Sequence, residues 1–196
     1  MGRLIVIDGL DASGKSTQAE MLAEHIRASG KTCIIRSHPG DDNFFGIKGR
    51  EYLFREGKAA HLAASLFYLA DVIRSITFYH WRGVDYLIFV RYLMGTAYLP
   101  APLHKYAYSF FSHVVPTKGD LIFIEVSPEE AYRRVAENRV KTERFETIDE
   151  LAKTSEKALK LASDGKWKII DGNRSIPEIH EDILNLVGLK SQNSAL

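Results

Sequence analysis

The stretch GLDASGKST, residues 9–17, directly follows the apolar run RLIVID (3–8) and opens a helical pattern over 15–29. Its spacing is G-x-x-x-x-G-K-[ST], and the strand-loop-helix setting is the one in which that spacing has a physical meaning. Gly9 and Gly14 let the backbone turn tightly enough for successive N–H groups to face inward, and the helix that follows presents its positive end to the same place. Gly9, Leu10, Asp11, Ala12, Ser13, Gly14, Lys15, Ser16 and Thr17 are therefore the candidate cradle for a nucleotide phosphate chain. Lys15 reaches the β- and γ-phosphates as a point charge, and the Ser16 hydroxyl is the candidate Mg²⁺ ligand. The competing reading, a glycine-rich turn beside a surface lysine, does not account for the full spacing in this context.

The remaining chain repeats the rhythm that this motif begins. Apolar runs at TCIIRS (32–37), DYLIFVR (85–91), DLIFIEV (120–126) and KWKIID (166–171) alternate with helical patterns at about 46–56, 58–81, 102–115, 128–138, 147–163 and 176–187. Such alternation predicts an α/β fold: a five-stranded parallel sheet with helices on both faces, in three layers. Strand 87–90, Leu-Ile-Phe-Val, has no polar alternation, as expected of a strand covered on both sides. Residues 1–188 are expected to form one domain, with a short lid at about 138–147 and a frayed tail at 189–196. Helix 58–81 is apolar on more than one face, so it is either central to the domain or half of a homodimer interface.

Charge narrows the partners. Lys and Arg number 26 against 25 Asp and Glu, a balance that gives no global field for nucleic acid or an acidic membrane surface. Any anion site must be local. The single cysteine, Cys33, cannot form an internal disulfide and reads as core packing, which fits a reducing compartment. The chain opens into MGRLIVIDG, and no apolar segment reads as a signal peptide or membrane span, so a cytoplasmic protein is expected.

Three further segments bear on chemistry. TKGD (117–120) has the look of a guanine-reading motif, but it precedes its strand and so lies on the wrong edge of the sheet; it reads as a turn. ENRVKTERFET (137–147) gathers Arg139, Lys141 and Arg144 in a polar connection between helices, either a solvated loop or a lid that brings positive charge to a transferring phosphoryl group. Arg91 ends the third strand, at the carboxyl edge where ligands of such sheets collect.

Taken in order, these segments resemble the thymidylate kinase family of nucleoside monophosphate kinases. GLDASGKSTQ is similar to its phosphate loop, HPG (38–40) to its proline-glycine loop, and VRYLMGTAY (90–98) to its Asp-Arg-Tyr segment. ERFE (143–146) resembles its lid, and IIDGNRSIPEIHEDI (169–183) its last strand and helix. The resemblance implies a P-loop NTPase fold, ATP as phosphoryl donor with Mg²⁺, and dTMP as acceptor. It also implies roles: Lys15, Arg91, Arg139 and Arg144 in catalysis, with Lys141 in reserve; Asn173 beside adenine; Asp11, His38, Pro39, Phe67 or Tyr68, Arg91 and Tyr98 around the acceptor. With Ala12 in the phosphate loop and a basic lid, the catalytic arginine is expected in the lid.

The sequence departs from the family on the acceptor side. ADR on the third helix is here Ala70-Asp71-Val72, so an acceptor-phosphate arginine is missing, and Arg74 lies on another side of the helix. Ser37 and His38 stand where an Arg-Glu pair is usual; His38 either touches an anion or is merely exposed. Val90 replaces the aspartate that would order Mg²⁺-bound water and fix the neighbouring arginine. The expected activity is ATP-dependent conversion of dTMP to dTDP. The alternatives are a kinase for another monophosphate or phosphorylated small acceptor, and an ATP-binding protein weakened in transfer.

Overall fold

The computed structural model describes residues 2–55, 57–80, 82–138 and 148–190. All five apolar runs are strands: β1 (Arg3–Gly9), β2 (Cys33–Ser37), β3 (Tyr86–Val90), β4 (Asp120–Glu125) and β5 (Lys168–Asp171). They form one parallel sheet in the order β2-β3-β1-β4-β5. The helices are α1 (Lys15–Ala28), α2 (Phe44–Leu53), α3 (Lys58–His80), α4 (Leu103–Val114), α5 (Pro128–Asn138), α6 (Ile148–Asp164) and α7 (Ile176–Leu186).

Residue alternation along β1, β3 and β4 builds two cores. Leu4, Val6, Leu87, Phe89, Leu121 and Phe123 pack on one face with Leu69 and Val72 of α3, Phe111 of α4 and Leu161 of α6. Ile5, Ile7, Ile88, Val90, Ile122 and Ile124 pack on the other with Leu22 and Ile26 of α1 and Ile183 of α7. Three layers result, and the unbroken apolar runs follow from strands buried on both sides. The carboxyl ends of β1 and β3 lie side by side, with Ile7 opposite Val90, and this brings residues 8–11 and 91–94 together.

Local chemistry sets several boundaries that periodicity leaves open. α2 begins at Phe44 because the Asn43 side chain accepts the N–H groups of Phe45 and Gly46, an N-cap. Ser127 caps α5 as expected, its hydroxyl accepting from Glu130 N at 3.3 Å. A short 3-10 helix, Met94–Tyr98, which sequence periodicity does not suggest, follows β3. Leu189 and Lys190 are not frayed: Leu189 N–H donates to Leu184 O, and Lys190 pairs with Glu181. The TKGD turn ends in Asp120, which pairs with Arg3 and Lys168 at the edge away from the phosphate loop.

α3 corrects the expectation that no apolar segment of the chain reads, by length and composition, as a membrane span. Its segment Leu62–Tyr79 is long and apolar enough, by length and composition, to cross a membrane. Within the domain it buries Ala64, Leu69 and Val72, while Leu62, Leu66, Ile73 and Phe78 remain exposed, as do Phe44 and Ile47 of α2 and Phe54 at its C-cap. The helix is thus apolar inward and outward, as its sequence suggests.

Candidate active site

Backbone conformation builds the phosphate loop. Gly9 has φ 154°, and a Cβ there would meet Ile124 O at 2.5 Å, so only glycine fits. Gly14, with φ 88°, is the N-cap of α1 and supplies no side-chain cap. The first N–H groups of α1 are therefore left for an anion in the loop. Ala12 between them takes φ 60°, a left-handed value that L-residues adopt only at a cost. Ser16 and Thr17 are exposed on the first turn of α1.

Lys15 lies inside the loop, 4 % exposed, with its ammonium donating to Leu10 O and 3.9 Å from Asp11 Oδ1. The same Asp11 oxygen accepts from Arg91 Nη2 at 2.7 Å. Asp11 thus joins the lysine of the phosphate loop to the arginine that ends β3. Burial, with Arg91 nearby, pushes the Lys15 ammonium down to about 8. A bound triphosphate stabilises the charged form, so nucleotide binding is linked to protonation of Lys15. The Kd for a fluorescent ATP analogue is expected to be flat below about pH 8 and to rise by up to about tenfold per pH unit above it. Titration of wild type beside Lys15→Arg, whose cation does not titrate in this range, checks this; equal slopes would refute it.

Arg91 has φ 60°, and its backbone is held on every side. Its N–H donates to Ile7 O at 3.3 Å. Its carbonyl lies 3.0 Å from His38 Nδ1. The Asp8 carboxylate, 1 % exposed, accepts from Tyr92 N at 2.8 Å and Met94 N at 3.0 Å through one oxygen, and from Gly9 N at 2.9 Å through the other. Burial pushes Asp8 above the usual carboxylate range, against the lowering effect of these N–H groups and Lys15. Asp8 carries no signal in the sequence beyond an acid at a strand end.

His38 corrects the exposed-loop reading, being 1 % exposed and packed edge-on to Phe89 and Tyr68. Its bond to Arg91 O requires a proton on Nδ1, and Nε2 is buried without a partner among the described residues. Burial pushes its pKa down to about 4, so the ring is neutral near pH 7. The loop after it is fastened by Asp71, which is 0 % exposed. Asp71 accepts from Gly40 N at 2.6 Å, Asn43 Nδ2 at 2.7 Å and Arg36 Nη2 at 3.4 Å. Arg36 also pairs with Asp42 at 2.6 Å, and Arg50 of α2 donates to Pro39 O at 3.0 Å.

A comparison with protein families matches residues 7–183 to thymidylate kinase. The chain belongs to the thymidylate kinase family. A probable thymidylate kinase of Thermococcus gammatolerans is 30% identical over 95% of this chain and 96% of its own length. The thymidylate kinase of Danio rerio is 27% identical, over 94% and 89% respectively. Among solved structures, thymidylate kinase from Candida albicans superposes with a TM-score of 0.71 at 22% identity, covering 95% of this chain and 91% of that one; this last likeness bears on the fold, a P-loop NTPase architecture.

The family's acceptor-side departures acquire physical form here. Val72 is buried in the core against the sheet, and Arg74 stacks over Phe78, 5.3 Å from the ring centroid, beside Ile73 and Thr77. Val90 packs beneath α1 in the second core. Of the two aromatic candidates, Phe67 stacks on Tyr52 at 5.5 Å and packs against Gly49 of α2. Tyr68 lies instead within electrostatic reach of Asp8 and Arg91, with Gly95 against its ring and its hydroxyl buried without a partner among the described residues. Tyr98 ends the 3-10 helix, partly exposed. Asn173 accepts from Ser127 N through Oδ1 and donates to Asp171 through Nδ2, which fixes its side chain within the turn. Arg134 of α5 bridges the two halves of the nucleotide side, donating to Ala12 O at 3.4 Å and Gly172 O at 2.9 Å; its position in a helix rather than a loop hid it from motif reading. Arg139, Lys141 and Arg144 lie outside the described residues.

Mg²⁺ fits this donor set in one way. No group of three or more His, Cys, Asp or Glu able to hold a metal occurs among the described residues, whereas the Ser16 hydroxyl is exposed at the loop. Such a site suits a cation that arrives on nucleotide phosphates and keeps much of its water.

Proposed function

We propose that this enzyme transfers the γ-phosphoryl group of ATP to dTMP, giving dTDP and ADP. The observation that carries the reading is the Lys15–Asp11–Arg91 constellation, where the phosphate loop meets the end of β3. The loop N–H groups and Lys15 hold the β- and γ-phosphates. Arg91 faces the acceptor and, once phosphates replace Asp11 as its partner, spans both phosphoryl groups. An oxygen of the acceptor phosphate attacks the γ-phosphorus as the bond to the β-γ bridging oxygen breaks. That oxygen is already anionic, so no general base is needed, and catalysis is positioning plus charge neutralisation. Ser16 would hold Mg²⁺ together with water and the phosphates, and the ion would supply further neutralisation of charge. Tyr68, rather than Phe67, lies beside the acceptor, with His38 and Pro39 behind it and Tyr98 at the rim. Arg139 and Arg144 serve as lid cations, and Arg134 with the Gly172–Asn173 turn bounds the adenine side.

The exposed apolar residues of α3 and α2 support a homodimer through this face, and the solitary half-buried Cys33 supports a reducing, cytoplasmic location. Neither nucleic acid nor membrane is needed for this chemistry.

A specific observation favours a second acceptor as the runner-up. Val72, where an arginine would grip the acceptor phosphate, is committed to the core. ADP formation with dTMP, dUMP, dCMP, dGMP and dAMP, each beside a Lys15→Met control, tests the choice. Preference for dTMP is expected. Faster turnover of another acceptor selects the runner-up, and ATP binding without lysine-dependent turnover indicates a protein weakened in transfer.

A further inference from the structure

Arg91 adopts a backbone conformation that its side chain disfavours, and much of what holds it there is a buried carboxylate. We infer that Asp8 is a positioning residue for phosphoryl transfer: by accepting the N–H groups of Tyr92 and Met94, it keeps Arg91 in the left-handed turn that aims its guanidinium at Asp11 and Lys15. The inference rests on the kinase reading above.

Three observations support it. First, Asp8 satisfies three N–H donors with two oxygens; asparagine offers one acceptor oxygen and turns an NH₂ toward the remaining donor. Second, a carboxylate next to a phosphate site opposes ATP electrostatically, so an acid here works against binding unless it does something else. Both its oxygens point into the backbone of the Arg91 turn and the loop's first glycine, not into the cradle. Third, Val90, the residue directly before Arg91, is apolar and faces α1, so it offers the arginine no polar support. The support comes from β1 instead, one residue beyond the Ile7–Val90 pair, with His38 closing the turn from the other side through the Arg91 carbonyl.

Asp8 touches no reacting atom in this account and acts through Arg91. A misplacement of about 1 Å at a reacting centre costs on the order of 10²-fold in rate. Asp8→Asn is therefore expected to lower kcat about 10²-fold, with the Kd for a fluorescent ATP analogue within about threefold of wild type. In an Arg91→Ala background the same change is expected to alter kcat by less than about threefold, because the group it positions is gone. The inference is overturned if Asp8→Asn keeps kcat within about threefold, or if the two losses multiply in the double variant. Amide hydrogen exchange on the wild-type protein covers the case of a variant that does not fold. Slow exchange at both Tyr92 and Met94 is expected, and rates near those of unstructured peptide at these amides overturn the proposal. Wild-type turnover of the monophosphate panel is measured alongside. Its absence defeats the kinase reading, while the exchange result still reports on the turn.

Discussion

Lys15→Met is expected to lower turnover at saturating dTMP by about 10³-fold or more, the range associated with loss of a cation that stabilises charge on a transferring phosphoryl group. The side chain is 4 % exposed and sits within the loop, between Leu10 O and Asp11. Methionine nearly matches its length, so the change removes a charge without opening a large cavity. Thermal unfolding should move little, because the buried ammonium is itself penalised by burial. The decisive measurement is ADP formation under single-turnover conditions, which separates the chemical step from product release. Retention of more than about a tenth of the wild-type rate would mean that Lys15 is not the principal phosphate cation.

The second large effect is on the fold. Asp71→Ala removes the acceptor that Gly40 N, Asn43 and Arg36 share. It leaves a mostly buried guanidinium with Asp42 as its remaining carboxylate partner among the described residues. Breaking a buried pair typically costs about 3–5 kcal/mol, and the surviving Arg36–Asp42 pair places this case near the lower end, at about 3 kcal/mol. For a chain of this size that corresponds to a fall of about 6–12 °C in Tm. Urea unfolding followed by circular dichroism measures it; a loss under about 1 kcal/mol would show that the network contributes little net stability. Because the same carboxylate fastens the loop carrying His38 and Pro39, KM for the acceptor should rise while the ATP Kd changes less.

The sheet was readable in advance because strands buried on both faces must be apolar at every position, and the phosphate loop was readable because its spacing sets glycine at positions 9 and 14, both of positive φ. That Lys15, Asp11 and Arg91 lie near one another was legible for a related reason: Lys15 opens α1, Arg91 follows β3 and Asp11 lies in the loop between β1 and α1, elements whose types were clear. His38 was legible as a loop residue but not as a buried one, since its burial depends on Phe89 and Tyr68 arriving from other elements. Phe67 and Tyr68 are adjacent on one helix, and only the crossing of α2 over α3 shows which of them turns toward Arg91. Asp8 and Arg134 escaped notice because their partners, 84 to 86 residues away in one case and 38 and 122 in the other, are set by strand order, which a single sequence does not display.

The left-handed Arg91 has a consequence for how this protein can be improved. A residue forced into that region costs the fold roughly 1–2 kcal/mol relative to glycine, and Ala12 in the phosphate loop adds a second position of the same kind. A screen that rewards heat resistance alone will accumulate glycines at both places. At position 12 the exchange removes only a methyl group, while at position 91 it discards the guanidinium. Activity and robustness therefore compete at one residue and coexist at the other, and a library built for a hardier enzyme should hold Arg91 fixed while admitting glycine at position 12.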